Sequence, residues 1–128
     1  MVSLDSSFLI DLLAGTPRAI VKARELDRSG EPRYLTAPAA SEVLVGAYHL
    51  GGAHFARTKT LVDSLLLLPF DRLASHEAGR MGSELAMLGT PLGQSDLFIA
   101  AISRRHGERL LTRDKGFLQV SGLTIEPY

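Results

Sequence analysis

The chain has 128 residues, with 14 basic and 14 acidic side chains, so its formal net charge is zero. One domain is expected at this length, and 45% apolar with 22% charged residues is the composition of a globular protein, which excludes disorder. Zero net charge also excludes a protein that grips nucleic acid by bulk electrostatics, so a nucleic-acid role has to rest on a local site. There is no cysteine, which removes disulfides and thiolate metal sites. The longest apolar run, Leu65 to Phe70, is too short to span a bilayer, and Met1 leads directly into a strand-like segment rather than a signal peptide. A cytoplasmic protein with no membrane partner is the expectation.

In chain order, Val2 to Asp5 reads as a strand ended by a carboxylate, with Ser6-Ser7 able to cap the helix that follows. Phe8, Leu9, Leu12 and Leu13 recur at helical spacing until Gly15. Thr16-Pro17 opens a second helix that carries Ile20, Val21, Ala23 and Leu26 and ends near Gly30. Tyr34 to Ala37 reads as a strand, Pro38 to Leu50 as a helix closed by Gly51-Gly52, and Phe55 to Leu65 as another helix. Leu66 to Phe70 has the continuous apolar character of a strand buried on both faces. Leu73 to Leu88 is expected to be helical, with Leu73, Met81, Leu85 and Leu88 inward, followed by a loop over Gly89 to Gly93. Ser95 to His106 is an alanine-rich helix, Arg109 to Thr112 a strand, and Leu123 to Glu126 the last strand. Strands alternating with helices predict a three-layer α/β/α domain over residues 1–128 around a central parallel sheet.

Ligands of open parallel sheets sit beyond the carboxyl ends of the strands, where strand order reverses. Asp5 ends the first strand, Asp114 follows the Arg109 strand, and Glu42 lies early in the helix after the second strand. Asp96, near the start of the helix feeding the Arg109 strand, reaches that edge only if the preceding loop carries it there. Singly, such acids cap helices or answer helix dipoles. Together they would repel unless a cation neutralised them, and an oxygen-only set suits Mg²⁺ or Mn²⁺ and metal-assisted phosphodiester hydrolysis.

At these residues the chain resembles the PIN-domain ribonucleases, especially the VapC-type toxins of toxin–antitoxin pairs. Leu4 to Leu13 is similar to the opening motif, Ser41-Glu42-Val43-Leu44 to the second, Gly89 to Ala101 to the third, and Leu111 to Phe117 to the fourth. The resemblance implies a PIN-like fold and an acidic quartet, Asp5, Glu42, Asp96 and Asp114, that binds Mg²⁺ or Mn²⁺ and activates water to cleave RNA. It gives supporting positions to Ser6 and Thr112, and it implies a homodimer inhibited by a small cognate antitoxin. Two other readings accompany it: a PIN nuclease of RNA processing without an antitoxin, and a catalytically silent protein- or RNA-binding module.

Arg113 and Lys115 flank Asp114 and are expected to receive RNA phosphates, whereas Arg104 and Arg105 read as a solvated helix end. The four histidines show no metal-ligand spacing and read as surface or helix-end residues. Asp71 reads as a helix cap and Asp11 as exposed.

Overall fold

The computed structural model describes all of residues 1–128. Its elements run β1 (Val2–Leu4), α1 (Ser6–Leu13), α2 (Pro17–Ser29), β2 (Arg33–Thr36), α3 (Ala37–Leu50) and α4 (Gly52–Asp63). Then follow β3 (Leu66–Leu68), α5 (Arg72–Met87), α6 (Gln94–Arg105), β4 (Arg109–Leu111), a 3-10 turn (Lys115–Gln119) and β5 (Ile125–Glu126). The punctuation is that of the sequence. Pro17 occupies the first turn of α2, and Gly30, at φ 68°, ends that helix in the left-handed conformation that glycine adopts without a Cβ clash. Asp71 caps α5, its carboxylate accepting the Ala74 amide at 2.9 Å.

All five strands are parallel, in the order β3-β2-β1-β4-β5. Side chains alternate between sheet faces, yet Val2, Ser3 and Leu4 are all buried, as are Leu110 and Leu111. The central strands are therefore covered on both sides, the three-layer arrangement expected from the βα alternation. The core joins Val2, Leu4, Leu35, Leu110 and Leu111 of the sheet to Phe8 and Leu9 of α1, Met81 and Leu85 of α5, and Ile99 of α6.

Two expectations fail. The apolar run from Leu66 forms an edge strand of only three residues, with Leu66 and Leu67 more than half exposed and only Leu68 buried. An apolar run reports low polarity, not position in the sheet, and β3 has β2 on one side and no strand on the other. On α5 the inward stripe is Ala74, Ala78, Met81 and Leu85, while Leu73 and Leu88 face solvent. Small residues win these positions because α5 lies close against α6. A Cβ built on Gly82 would approach the Leu97 side chain to 3.0 Å. On α2 the buried residues are Ala19 and Leu26, while Val21 faces solvent.

The strand order places the reversal between β1 and β4. Chain connections leave β1 in one direction across the sheet and return to β4 on its other side. The carboxyl ends of these two neighbours are the natural location of a site.

Candidate active site

Asp5 stands directly after β1, 3% exposed, and its backbone N–H donates to the Leu111 carbonyl of β4 at 3.0 Å. Its carboxylate is held from three sides. Oδ1 accepts the Ser6 amide at 2.8 Å, and Oδ2 accepts the Thr112 hydroxyl at 2.6 Å and the Ser7 hydroxyl at 2.9 Å. Burial pushes its pKa above the ordinary carboxylate value, although the Thr112, Ser7 and Ser6 hydrogen bonds pull the other way and the Glu42 charge adds a smaller upward push. Asp5 is thus a buried helix cap at the end of β1.

Thr112 ties two strand ends together. Its hydroxyl donates to Asp5 and accepts the Asp114 backbone amide at 3.0 Å. Asp114 is exposed and turns Oδ1 onto the Gly116 amide at 2.9 Å, capping the 3-10 turn. Gly116 is close-fitting here, since a Cβ would lie 3.1 Å from that same Oδ1. Glu42, on α3, is clasped between two serines: Oε2 accepts the Ser6 hydroxyl at 2.6 Å, and Oε1 accepts the Ser95 hydroxyl. The Ser95 bond brings the first turn of α6 to the same edge, which spacing alone left open.

Asp96, next along α6, is half-buried and receives no compensating hydrogen bond. Its pKa is pushed up to about 6, first by desolvation and then by the charges of Asp114, Asp5 and Glu42. Asp114, Asp5 and Glu42 thus all push the Asp96 carboxyl in the same direction. They do not close into a finished cage: no group of three or more acidic or histidine side chains is drawn close enough to hold an ion as placed. The reason is visible in the bonding. Asp5 and Glu42 have their oxygens turned onto hydroxyls, and Asp114 onto its own turn. Their chemistry still suits a hard cation, because the donors are all oxygen and Asp96 faces three carboxylates with no donor to offset them.

The basic border differs from expectation on one side. Arg113 folds away onto Asp11, Nε to Oδ2 at 2.7 Å, and the Tyr128 hydroxyl donates to the same oxygen at 2.5 Å. Asp11 is therefore partly buried rather than exposed, and these bonds hold its carboxyl below the usual range. Tyr128, whose ring meets Phe8 edge-on at 5.0 Å, has its pKa pushed up to about 12 by burial and by Asp11. Lys115 is exposed, with no ion-pair partner. Arg104 is not a free helix end but pairs with Glu77 of α5 and donates to the Ser121 carbonyl at 3.0 Å.

Two hydroxyls of the network, Ser7 and Ser95, escaped the motif reading. Ser7 had a signal: an Asp followed by two serines has one more hydroxyl than a cap needs. Ser95 had none, because its partner is 53 positions away.

Fold and site together define a parallel three-layer α/β protein with acidic side chains gathered at its strand-order reversal. A family model described as PIN domain matches residues 2–123, and the chain belongs to that family. Among curated proteins, VapC ribonuclease Y4jK of Sinorhizobium fredii is 26% identical over 136 residues, which cover 98% of this chain and 95% of the relative. Among solved structures, DNA-bound VapBC from Salmonella typhimurium aligns at TM-score 0.80 and 25% identity, covering 99% of this chain and 98% of that one. VapBC2 from Rickettsia felis, bound to a DNA fragment from the promoter, aligns at TM-score 0.87 and 18% identity, covering 100% and 99% of the two chains. This last likeness shows the shared fold. No helix is long and apolar enough to cross a membrane.

Proposed function

We propose that the chain is a divalent-metal-dependent endoribonuclease of the VapC type, acting in the cytoplasm as the toxin of a toxin–antitoxin pair. The observation that carries this reading is the state of Asp96. A half-buried carboxyl opposed by three other carboxylates, with no hydrogen-bond donor of its own, is an arrangement that a cation relieves. The curated relative, similar over almost the whole chain, is a VapC ribonuclease, which supports RNA as substrate. The similar Salmonella chain comes from a VapBC complex, which supports a small antitoxin as partner.

Asp5, Glu42, Asp96 and Asp114 are the residues that would hold Mg²⁺ or Mn²⁺. Bound there, the ion acidifies water and neutralises the charge that develops on the phosphodiester oxygens. The chain's own contribution is preorganisation. Thr112 and Ser7 fix the rotation of the Asp5 carboxylate, Ser6 and Ser95 fix Glu42, and Thr112 anchors the turn that presents Asp114. Lys115 borders the site as a phosphate contact, and Arg113 serves by pinning its loop to Asp11. A homodimer completes the proposal. Val45, Tyr48 and Leu67 leave an apolar strip exposed along α3 and the β3 edge, the kind of surface that soluble proteins bury against a partner.

Incubating the purified protein with a total-RNA pool in Mg²⁺, in Mn²⁺ and in chelator tests this reading. Discrete fragments with either metal and intact RNA with chelator are expected. Intact RNA under all three conditions overturns it.

A further inference from the structure

Beside the acidic cleft, on its Glu42 flank, lies a second feature that the carboxylate chemistry does not use. Phe98 of α6 and Phe70, just beyond the end of β3, meet at a ring-centroid distance of 4.4 Å and a tilt of 50°. They wall a cleft of about 450 Å³, with Pro38 and Val45 as further apolar lining and Glu42 and Gln94 as polar rim. That volume lies within the roughly 300–1,000 Å³ of small-ligand sites. Phe70 is 37% exposed and belongs to neither apolar cluster of the core, so core packing does not explain an aromatic ring there. Of the three aromatic pairs in the chain, this one alone shares its cleft with a site carboxylate.

Helix periodicity fixes how the two features relate. Ser95 and Phe98 are three residues apart and share a face of α6, and Ser95 binds Glu42, whereas Asp96 projects from a different face of the same turns. A ligand group held at Asp96 therefore has its neighbouring group within one helix width of the Phe98 ring. Lys115, the free cation of the border, lies on the opposite, Asp114 side. The cleft offers no cation to an anion, and its charged member, Glu42, would repel one. It offers ring faces, apolar walls and, in Gln94, a side chain that both donates and accepts hydrogen bonds. These are the requirements of an unpaired nucleobase: a stacking platform with a polar edge to read.

We propose that Phe70 and Phe98 form a seat for one unstacked base of the RNA, next to the phosphodiester at the acidic cleft. The proposal rests on the ribonuclease reading and adds to it two specificity-determining residues, Phe70 and Phe98. A strand crossing the site runs from the aromatic seat, past the four carboxylates, to Lys115.

The test uses Asp96→Asn protein as parent, so that RNA stays intact, and compares it with the same chain carrying Phe70→Leu or Phe98→Leu. Leucine keeps apolar bulk and removes the ring face, and circular dichroism checks that each variant folds. Phe70 lies outside the core, so its variant keeps the test valid if the Phe98 variant does not fold. Binding is measured to a short single-stranded RNA and to its set of single abasic replacements. In the parent, one abasic position is expected to weaken binding by about tenfold, the loss typical of one stacked base. In Phe70→Leu that penalty is expected to shrink to about twofold or less, and Phe70→Tyr is expected to restore it. An abasic profile identical in parent and Phe70→Leu overturns the seat, including the case where the cleft takes a protein side chain instead. If the wild-type chain still cleaves RNA with divalent metal while the profile is unchanged, the seat falls and the nuclease reading stands. If no RNA is bound or cleaved at all, both fall.

Discussion

Replacing Asp96 by Asn tests the electrostatics of the site without reference to substrate. In the metal-free protein the Asp96 carboxyl is lifted from its ordinary 3.8 to about 6. At neutral pH that lift corresponds to roughly 3 kcal/mol of strain in the charged form, reduced to about 1–2 kcal/mol because the group is partly solvated. The folded protein holds the Asp96 proton up to about pH 6, while the unfolded chain releases it near 3.8. Stability from this group is thus fully present below 3.8 and is lost as pH rises through 6. Asparagine keeps the shape and lacks the titration. For 128 residues the unfolding entropy is about 0.27 kcal/mol/K, so Asp96→Asn is expected to melt about 4–7 °C above wild type in chelator at neutral pH. The gap is expected to close as pH falls toward 4. Saturating Mn²⁺ reverses the order, because ion held at about a hundred times its dissociation constant stabilises wild type by about 2.7 kcal/mol and the variant by much less. Calorimetric scans with chelator and with Mn²⁺, at neutral and acidic pH, read all of this. A variant that melts at or below wild type in neutral chelator refutes the electrostatic argument.

Other perturbations address neighbouring parts of the account. Thr112→Val removes the donor to Asp5 and the acceptor of the Asp114 amide, and is expected to cost about 1–3 kcal/mol in denaturant unfolding and to depress RNA cleavage. Lys115→Ala is expected to flatten the salt dependence of RNA binding by about one unit of log–log slope, whereas Arg113→Ala leaves the slope unchanged and lowers the melting temperature by freeing Asp11 and Tyr128. Binding isotherms at several salt concentrations on Asp96→Asn protein, with thermal melts alongside, separate the two. Light scattering at micromolar concentration is expected to give a dimer mass, and Tyr48→Glu, in the exposed strip on α3, is expected to shift it toward monomer.

The parts of the fold legible in the sequence are those written in local chemistry. Proline at the start and glycine at the end of α2, Asp71 before α5, and the alternation of strands with helices are short-range signals, and the structure contains each of them. Position within the sheet is not short-range. Leu66 and Leu67 read as interior because they are leucines, but their burial depends on whether another strand lies beyond β3. On α5 the sequence points to Met81 and Leu85, which are inward, but not to Ala74 and Ala78, which carry little hydrophobic signal although close approach to α6 selects them. At the site, acids after strand ends could be picked out by spacing, and the resemblance to the family supplied their grouping. The partners of those acids could not. Arg113 turns to Asp11 across 102 positions and Ser95 to Glu42 across 53, pairings that exist only after the chain has folded.

The central claim is that four carboxylates drawn from four segments of the chain work as one unit on RNA. Cleavage rates of Asp5→Asn, Glu42→Gln, Asp96→Asn and Asp114→Asn on one RNA in Mn²⁺, with a double variant such as Asp5→Asn/Asp96→Asn, measure it most directly. Groups that act as a unit are non-additive, so each single variant is expected to lose at least about a hundredfold and the double variant little more than the worse of its two singles. A folded single variant that cleaves at the wild-type rate, or losses that multiply in the double variant, would contradict the claim.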